Sequence, residues 1–149
     1  MAQTYIGSTL RTGSGTLTDT TDGGFVVVSQ TTTVTTVAAG TASSASLTLP
    51  ASSQIIQFLV DTVQDESVGG GTATAIAMTI GTAAAGTQYV SSTDVIGGGR
   101  IALTFTAAQL AAMANIGSNT SDYITVDPNG TISTTQGIYR LTVVYAQKV

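Results

Sequence analysis

The chain has 149 residues with no His, Cys or Trp, four basic against eight acidic side chains, a net charge of −4 and only 8% charged residues. That length suits one domain burying roughly two-thirds of the surface its unfolded form exposes, so a core needs no covalent staple. Lack of Cys excludes disulfides and thiolate metal sites, lack of His removes the commonest catalytic base, and the scattered Arg11, Arg100, Arg140 and Lys148 lack the clustering that nucleic-acid binding needs.

Met1 to Gly7 has neither a basic stretch nor an apolar h-region, so no secretory signal is expected and the product should accumulate in the cytoplasm that makes it. Residues 1–24 are polar and rich in Gly, Thr and Ser, with Tyr5, Ile6, Leu10 and Leu17 as the large apolar anchors. Such a segment cannot build a core, and is either a disordered terminus or an arm that orders against another surface. Residues 25–149 are read as the folded domain.

β-branched residues run almost unbroken through Phe25–Val28 and Thr31–Val37, and their stiff side chains favour strands. Ser46–Leu49 alternates with period two and stops at Pro50, which has no N–H to give a ladder. Ile55–Val63 has apolar residues on both parities, as in a central strand covered on both faces or one leaving a sheet to join its partner sheet. After Gly69–Gly71, Ile76, Met78 and Ile80 alternate with Ala75, Ala77 and Thr79, giving one bulky and one small face. Gly81–Thr87 reads as a loop, and Gln88–Val90 resumes extended structure. Gly97–Gly99 then introduces a strand over Arg100–Phe105, with Ile101, Leu103 and Phe105 on one face.

Thr106 is a good N-cap for a short helix near residues 106–114, in which Leu110, Met113 and Ala114 fall at docking positions. A strand over Asp122–Val126 follows, then a turn at Asp127–Gly130 and a return starting at Thr131–Ser133. Gly137–Gln147 closes the chain, with Tyr139, Leu141, Val143 and Tyr145 alternating against Ile138, Arg140, Thr142 and Val144. Eight or nine strands with one helix predict an all-β, two-layer antiparallel sandwich, jelly-roll-like, preceded by an extended N-terminal arm. The apolar stretches Phe25–Val28 and Thr72–Ile80 fall far short of the roughly 18 residues a spanning helix needs, and too few long strands and no export signal are read for a membrane barrel, so no membrane partner is expected.

Asp61, Asp65 and Glu66 form the one carboxylate cluster, the residue type a Ca²⁺ site or a glycosidase acid–base pair would use. Their spacing matches no EF-hand loop, and the cluster reads as a solvated loop end. Asp19–Gly24 offers oxygen-rich turn residues, and the Gly-rich runs lack the Lys of a phosphate loop. A Ser–Lys pair would depend on Lys148 beside the chain end. No catalytic residue, metal or cofactor is therefore expected, and the chain does not read as an enzyme. Five Tyr residues, at 5, 89, 123, 139 and 145, serve either packing or a sugar-binding platform.

Ile80-Gly-Thr-Ala-Ala-Ala-Gly-Thr-Gln-Tyr89, Phe105-Thr-Ala-Ala-Gln-Leu-Ala111, Asp122-Tyr-Ile-Thr-Val126 and Gly137–Tyr145 together resemble tailed-bacteriophage capsid decoration, or cement, proteins and related phage structural proteins. The resemblance covers about residues 45–147. It implies a virion protein on the capsid exterior, assembled in the host cytoplasm as a homotrimer and bridging major capsid protein subunits. Multivalent attachment would then join several weak contacts. Tyr5, Ile6, Leu10 and Leu17 become candidates for capsid or subunit contact. The alternative is a head or tail fibre or spike module binding host surface glycans.

Overall fold

The computed structural model describes residues 11–12, 15–16, 25–37, 40–66, 71–132 and 136–148. Two short strands, β1 (Arg11–Thr12) and β2 (Gly15–Thr16), pair antiparallel. The proposed contact residues Tyr5, Ile6, Leu10 and Leu17 lie outside the described residues.

Eight further strands build two antiparallel four-stranded sheets, as the alternating sequence predicts. They are β3 (Phe25–Thr35), β4 (Ser43–Leu49), β5 (Ser53–Gln64), β6 (Ile76–Gly81), β7 (Val90–Asp94), β8 (Gly99–Arg100), β9 (Thr120–Pro128) and β10 (Ile138–Lys148). One sheet has the order β3-β10-β5-β8 and the other β4-β9-β6-β7. Successive strands from β3 to β10 cross from one sheet to the other at every step except β6 to β7. The last strand, β10, lies beside β3, the first of these eight.

Alternation decides what faces inward. On β10, Tyr139, Leu141, Val143 and Tyr145 are buried, and on β6 so are Ile76, Met78 and Ile80. Leu47, Leu49, Ile124 and Val126 come from the second sheet to meet Val34, Phe58 and Val60 from the first. Fully burying one such aliphatic or aromatic side chain contributes about 1.5–3 kcal/mol, which makes this interlayer the main source of stability. Pro50 ends β4 where expected.

Four sequence expectations need correction. For Ile55–Val63, β5 is a central strand between β10 and β8, but it is neither covered on both faces nor shared between sheets: it has one exposed side and changes parity through bulges. Tyr145 pairs with Ile55 and Val144 with Gln57, so Ile56 is the extra residue; Tyr139 pairs with Thr62 and Ile138 with Gln64, so Val63 is another. An inserted residue resets which side chains point inward. Ile55 and Phe58 are thus both buried, while Ile56 is 50% and Val63 55% exposed.

The helix α1 (Ala107–Met113) docks through Gln109 and Met113, and Leu110 is 52% exposed. Capping sets this face: Gln109 Oε1 accepts from the Thr106 N–H at 2.8 Å, and the Gln109 N–H donates to Thr106 Oγ1 at 3.3 Å. Gln109 Nε2 also donates to the Thr87 carbonyl at 3.3 Å and to Ser91 Oγ at 3.0 Å. Those partners hold the Gln109 side of the helix inward and turn Leu110 out.

The strand expected over Arg100–Phe105 is cut short. Only Gly99 and Arg100 pair with β5, and one further bond runs from the Ile101 N–H to the Val60 carbonyl at 3.0 Å. Ile101, Leu103 and Phe105 still share a half-buried face against the core, so packing holds the segment without a ladder. Gly97, Gly98 and Gly99 all have positive φ, at 96°, 75° and 85°, which explains a run of residues without Cβ at the turn into it.

The return expected from Thr131 does not pair with β9. Asn129 Oδ1 instead accepts from the N–H groups of Thr74 and Ala75 at 2.8 and 3.1 Å. Thr72 donates its N–H to the Thr131 carbonyl at 2.9 Å, and the Thr131 N–H donates to Thr72 Oγ1 at 3.0 Å. Long-range partners have displaced the local hairpin.

Candidate functional site

The β3-β10-β5-β8 sheet presents an outer face on which hydroxyls and hydrocarbon dominate. Val27, Ser29, Thr31, Thr33 and Thr35 of β3 are exposed, and Thr31 and Thr142 pair across strands with their Oγ1 atoms 3.0 Å apart. Thr142 is in turn opposite Leu59, and Val144 lies opposite Ser29 and Gln57. The two bulges add Ile56 and Val63 to the exposed surface. Contact through such a face would cost little desolvation of charge.

One ion cluster interrupts it. Arg140, Asp61 and Arg100 are successive cross-strand neighbours on β10, β5 and β8. Arg100 donates from Nε and Nη2 to the two Asp61 oxygens at 2.7 and 3.0 Å, and Arg140 Nη2 donates to Asp61 Oδ2 at 3.1 Å. The Arg100 hydrogen bonds hold the Asp61 carboxyl below its ordinary pKa, with Arg140 adding to the effect and partial burial opposing it. Two of the chain's four cations are thereby engaged by a single carboxylate.

The three carboxylates of the sequence cluster separate. Asp61 belongs to this ion cluster, Asp65 is exposed beside Gly98, and Glu66 is buried. Glu66 Oε1 accepts from the Tyr139 hydroxyl at 2.8 Å and Oε2 from Thr36 Oγ1 at 3.1 Å. The Gly137 N–H completes the network by donating to Thr36 Oγ1 at 2.8 Å. Desolvation, then the bond to Glu66, pushes the Tyr139 phenol above its ordinary pKa. The solvated-loop reading is therefore overturned for Glu66, which ties the ends of β3 and β5 to the start of β10. Burial inside a sandwich, set by neighbours far away in sequence, is what the local spacing lacked.

Tyr89, Tyr139 and Tyr145 are buried, which places them in packing and not on a sugar-binding platform. Tyr145 receives a hydrogen bond from Gln30 Nε2 at 2.7 Å. Among the described residues no group of three or more His, Cys, Asp or Glu could hold a metal, and no helix is long and apolar enough to cross a membrane.

Asp122 was missed as a special residue. It is fully buried on β9, and neither carboxyl oxygen has a hydrogen-bond partner among the described residues. Burial pushes its pKa up to about 7, and its charge adds to the desolvation that pushes Tyr89 to about 12. The signal was present: Asp122 has the parity of Ile124 and Val126, the buried face of the same strand.

Compared with protein-family models, curated proteins and solved structures, the chain matches none.

Proposed function

We propose that this protein is a structural subunit of a tailed-bacteriophage particle, decorating the outside of the capsid and stabilising it by bridging major capsid protein subunits. The single observation that carries the reading to a surface is the pair of bulges on β5, which turn Ile56 and Val63 outward from a strand whose other large apolar residues are mostly covered. Bulges re-aim side chains, and two exposed β-branched residues on a hydroxyl-rich, charge-poor sheet suit extended contact with a large protein neighbour. The strand order, with β10 beside β3 and nearly every connection from β3 to β10 crossing between sheets, supports the jelly-roll-like reading. Work in this reading is done by shape and multivalency, with the chain acting as a homo-oligomer and residues 1–24, including Tyr5, Ile6, Leu10 and Leu17, as a further contact arm.

Imaging purified particles with and without the protein tests this directly. Density for the sandwich on the capsid exterior, lost in the deficient particle together with resistance to heat or osmotic shock, is the expected result. Heads that neither bind the protein nor change in robustness would overturn it.

A further inference from the structure

The two lateral sides of the sandwich are protected unequally. On one side the edge strands are β8, of two residues, and β7, of five, and they carry Arg100 and Asp94. Short, charged edges discourage addition of a foreign strand. On the other side the edges are β3, of eleven residues, and β4, of seven, and no charged residue occurs from Gly23 to Val60. The β4 edge is partly met from within, since Gln30 Nε2 donates to the Thr48 carbonyl at 3.1 Å.

The β3 edge has no such cover among the described residues, where the main chain of 25–35 bonds only to β10. Its polarity follows from one bond. The Thr36 N–H donates to the Gly137 carbonyl at 3.0 Å, extending the register in which Thr35 faces Ile138. Even-numbered residues of β3 are therefore the hydrogen-bonded pairs with β10. The odd residues, Phe25, Val27, Ser29, Thr31, Thr33 and Thr35, turn both N–H and C=O outward.

We propose that a second copy of this chain closes that edge, β3 pairing antiparallel with β3 across a two-fold axis at Gln30. In this register Phe25 faces Thr35, Val27 faces Thr33 and Ser29 faces Thr31, so every outward main-chain group meets an outward group of the copy. An isologous contact sets a strand against itself, and any charge near its centre would face a like charge. β3 has none. The pairing buries main-chain donors and acceptors that otherwise depend on water, and continues the sheet through both protomers. It closes at two copies, unlike the trimer implied by the phage resemblance, and it rests on the edge alone, independently of the capsid reading.

Sedimentation velocity of the full chain, from low to high micromolar concentration, tests the proposal. The expected species has twice the 14.9 kDa mass of one chain. A Ser29→Lys, Thr31→Lys double variant, which sets lysines against lysines, should lose the dimer while keeping the wild-type circular dichroism spectrum. Because the chain has no Cys, register can be read separately: mixing Ser29→Cys and Thr31→Cys chains under mild oxidation should give the mixed disulfide in excess over either homodimeric one. A wild-type monomer throughout, a trimer, a dimer untouched by the lysines, or no excess of the mixed disulfide each overturns the proposal.

Discussion

Tyr139 donates its hydroxyl proton to Glu66 Oε1 at 2.8 Å, joining two residues 73 positions apart in sequence inside the sandwich. The bond matters because both partners are buried, and a carboxylate oxygen without a donor there bears its full desolvation cost. Tyr139→Phe keeps the ring and removes the donor. Urea unfolding should show a loss of about 1–3 kcal/mol, whereas Thr31→Val, at an exposed hydroxyl pair on the same sheet, should lie within about 0.5 kcal/mol of wild type.

Asp122 should give the protein an unusual dependence on pH. Its carboxyl is raised from 3.8 to about 7 in the folded chain, so between those values the unfolded state has lost a proton the folded state retains. Stability from this group is complete below about pH 4, falls as pH rises, and levels off above about 7, with a slope of at most roughly 1.4 kcal/mol per pH unit. Asp61 has the opposite sign, since its lowered pKa adds stability that disappears on acidification below 3.8. Urea midpoints should therefore decline for wild type from pH 4 to about 7 and then hold level to pH 9, while those of Asp122→Asn, which should be the more stable protein at pH 8, stay flat throughout.

The reciprocal Thr106–Gln109 cap should be worth more at Gln109 than at Thr106. Thr106→Ala removes one acceptor for a helix N–H and should cost about 0.5–2 kcal/mol. Gln109→Ala also leaves Ser91 and the Thr87 carbonyl without their Gln109 donor and opens space in a buried position, so its thermal midpoint should fall further. Leu110→Ala, on the exposed side, should change the midpoint least of the three.

Ile56 and Val63 should separate attachment from stability. Both are more than half in solvent or at half, so an Ile56→Asp, Val63→Asp variant should keep its circular dichroism and melt within a few degrees of wild type. In the capsid reading it should fail to co-sediment with heads. Wild-type recovery on the particle would remove these residues from the contact surface.

Local pattern was enough for much of the architecture. Period-two alternation marked the inward faces of β6 and β10, Pro50 marked the end of β4, Thr106 marked the helix start, and the count of strands pointed to a sandwich, because each of these is governed by neighbours a few residues away. The surface and the buried polar groups were decided elsewhere. The two inserted residues on β5, Ile56 and Val63, are defined only against β10, and that pairing turns them outward; Glu66 became a core acceptor only because Thr36 and Tyr139 arrive from other strands. By itself the sequence determined a charge-poor, β-branched chain with inward and outward faces. Tertiary structure decided which carboxylates are paired, which is stranded in the core and which edge is left uncovered among the described residues, because pairing and desolvation depend on contacts between residues distant along the chain.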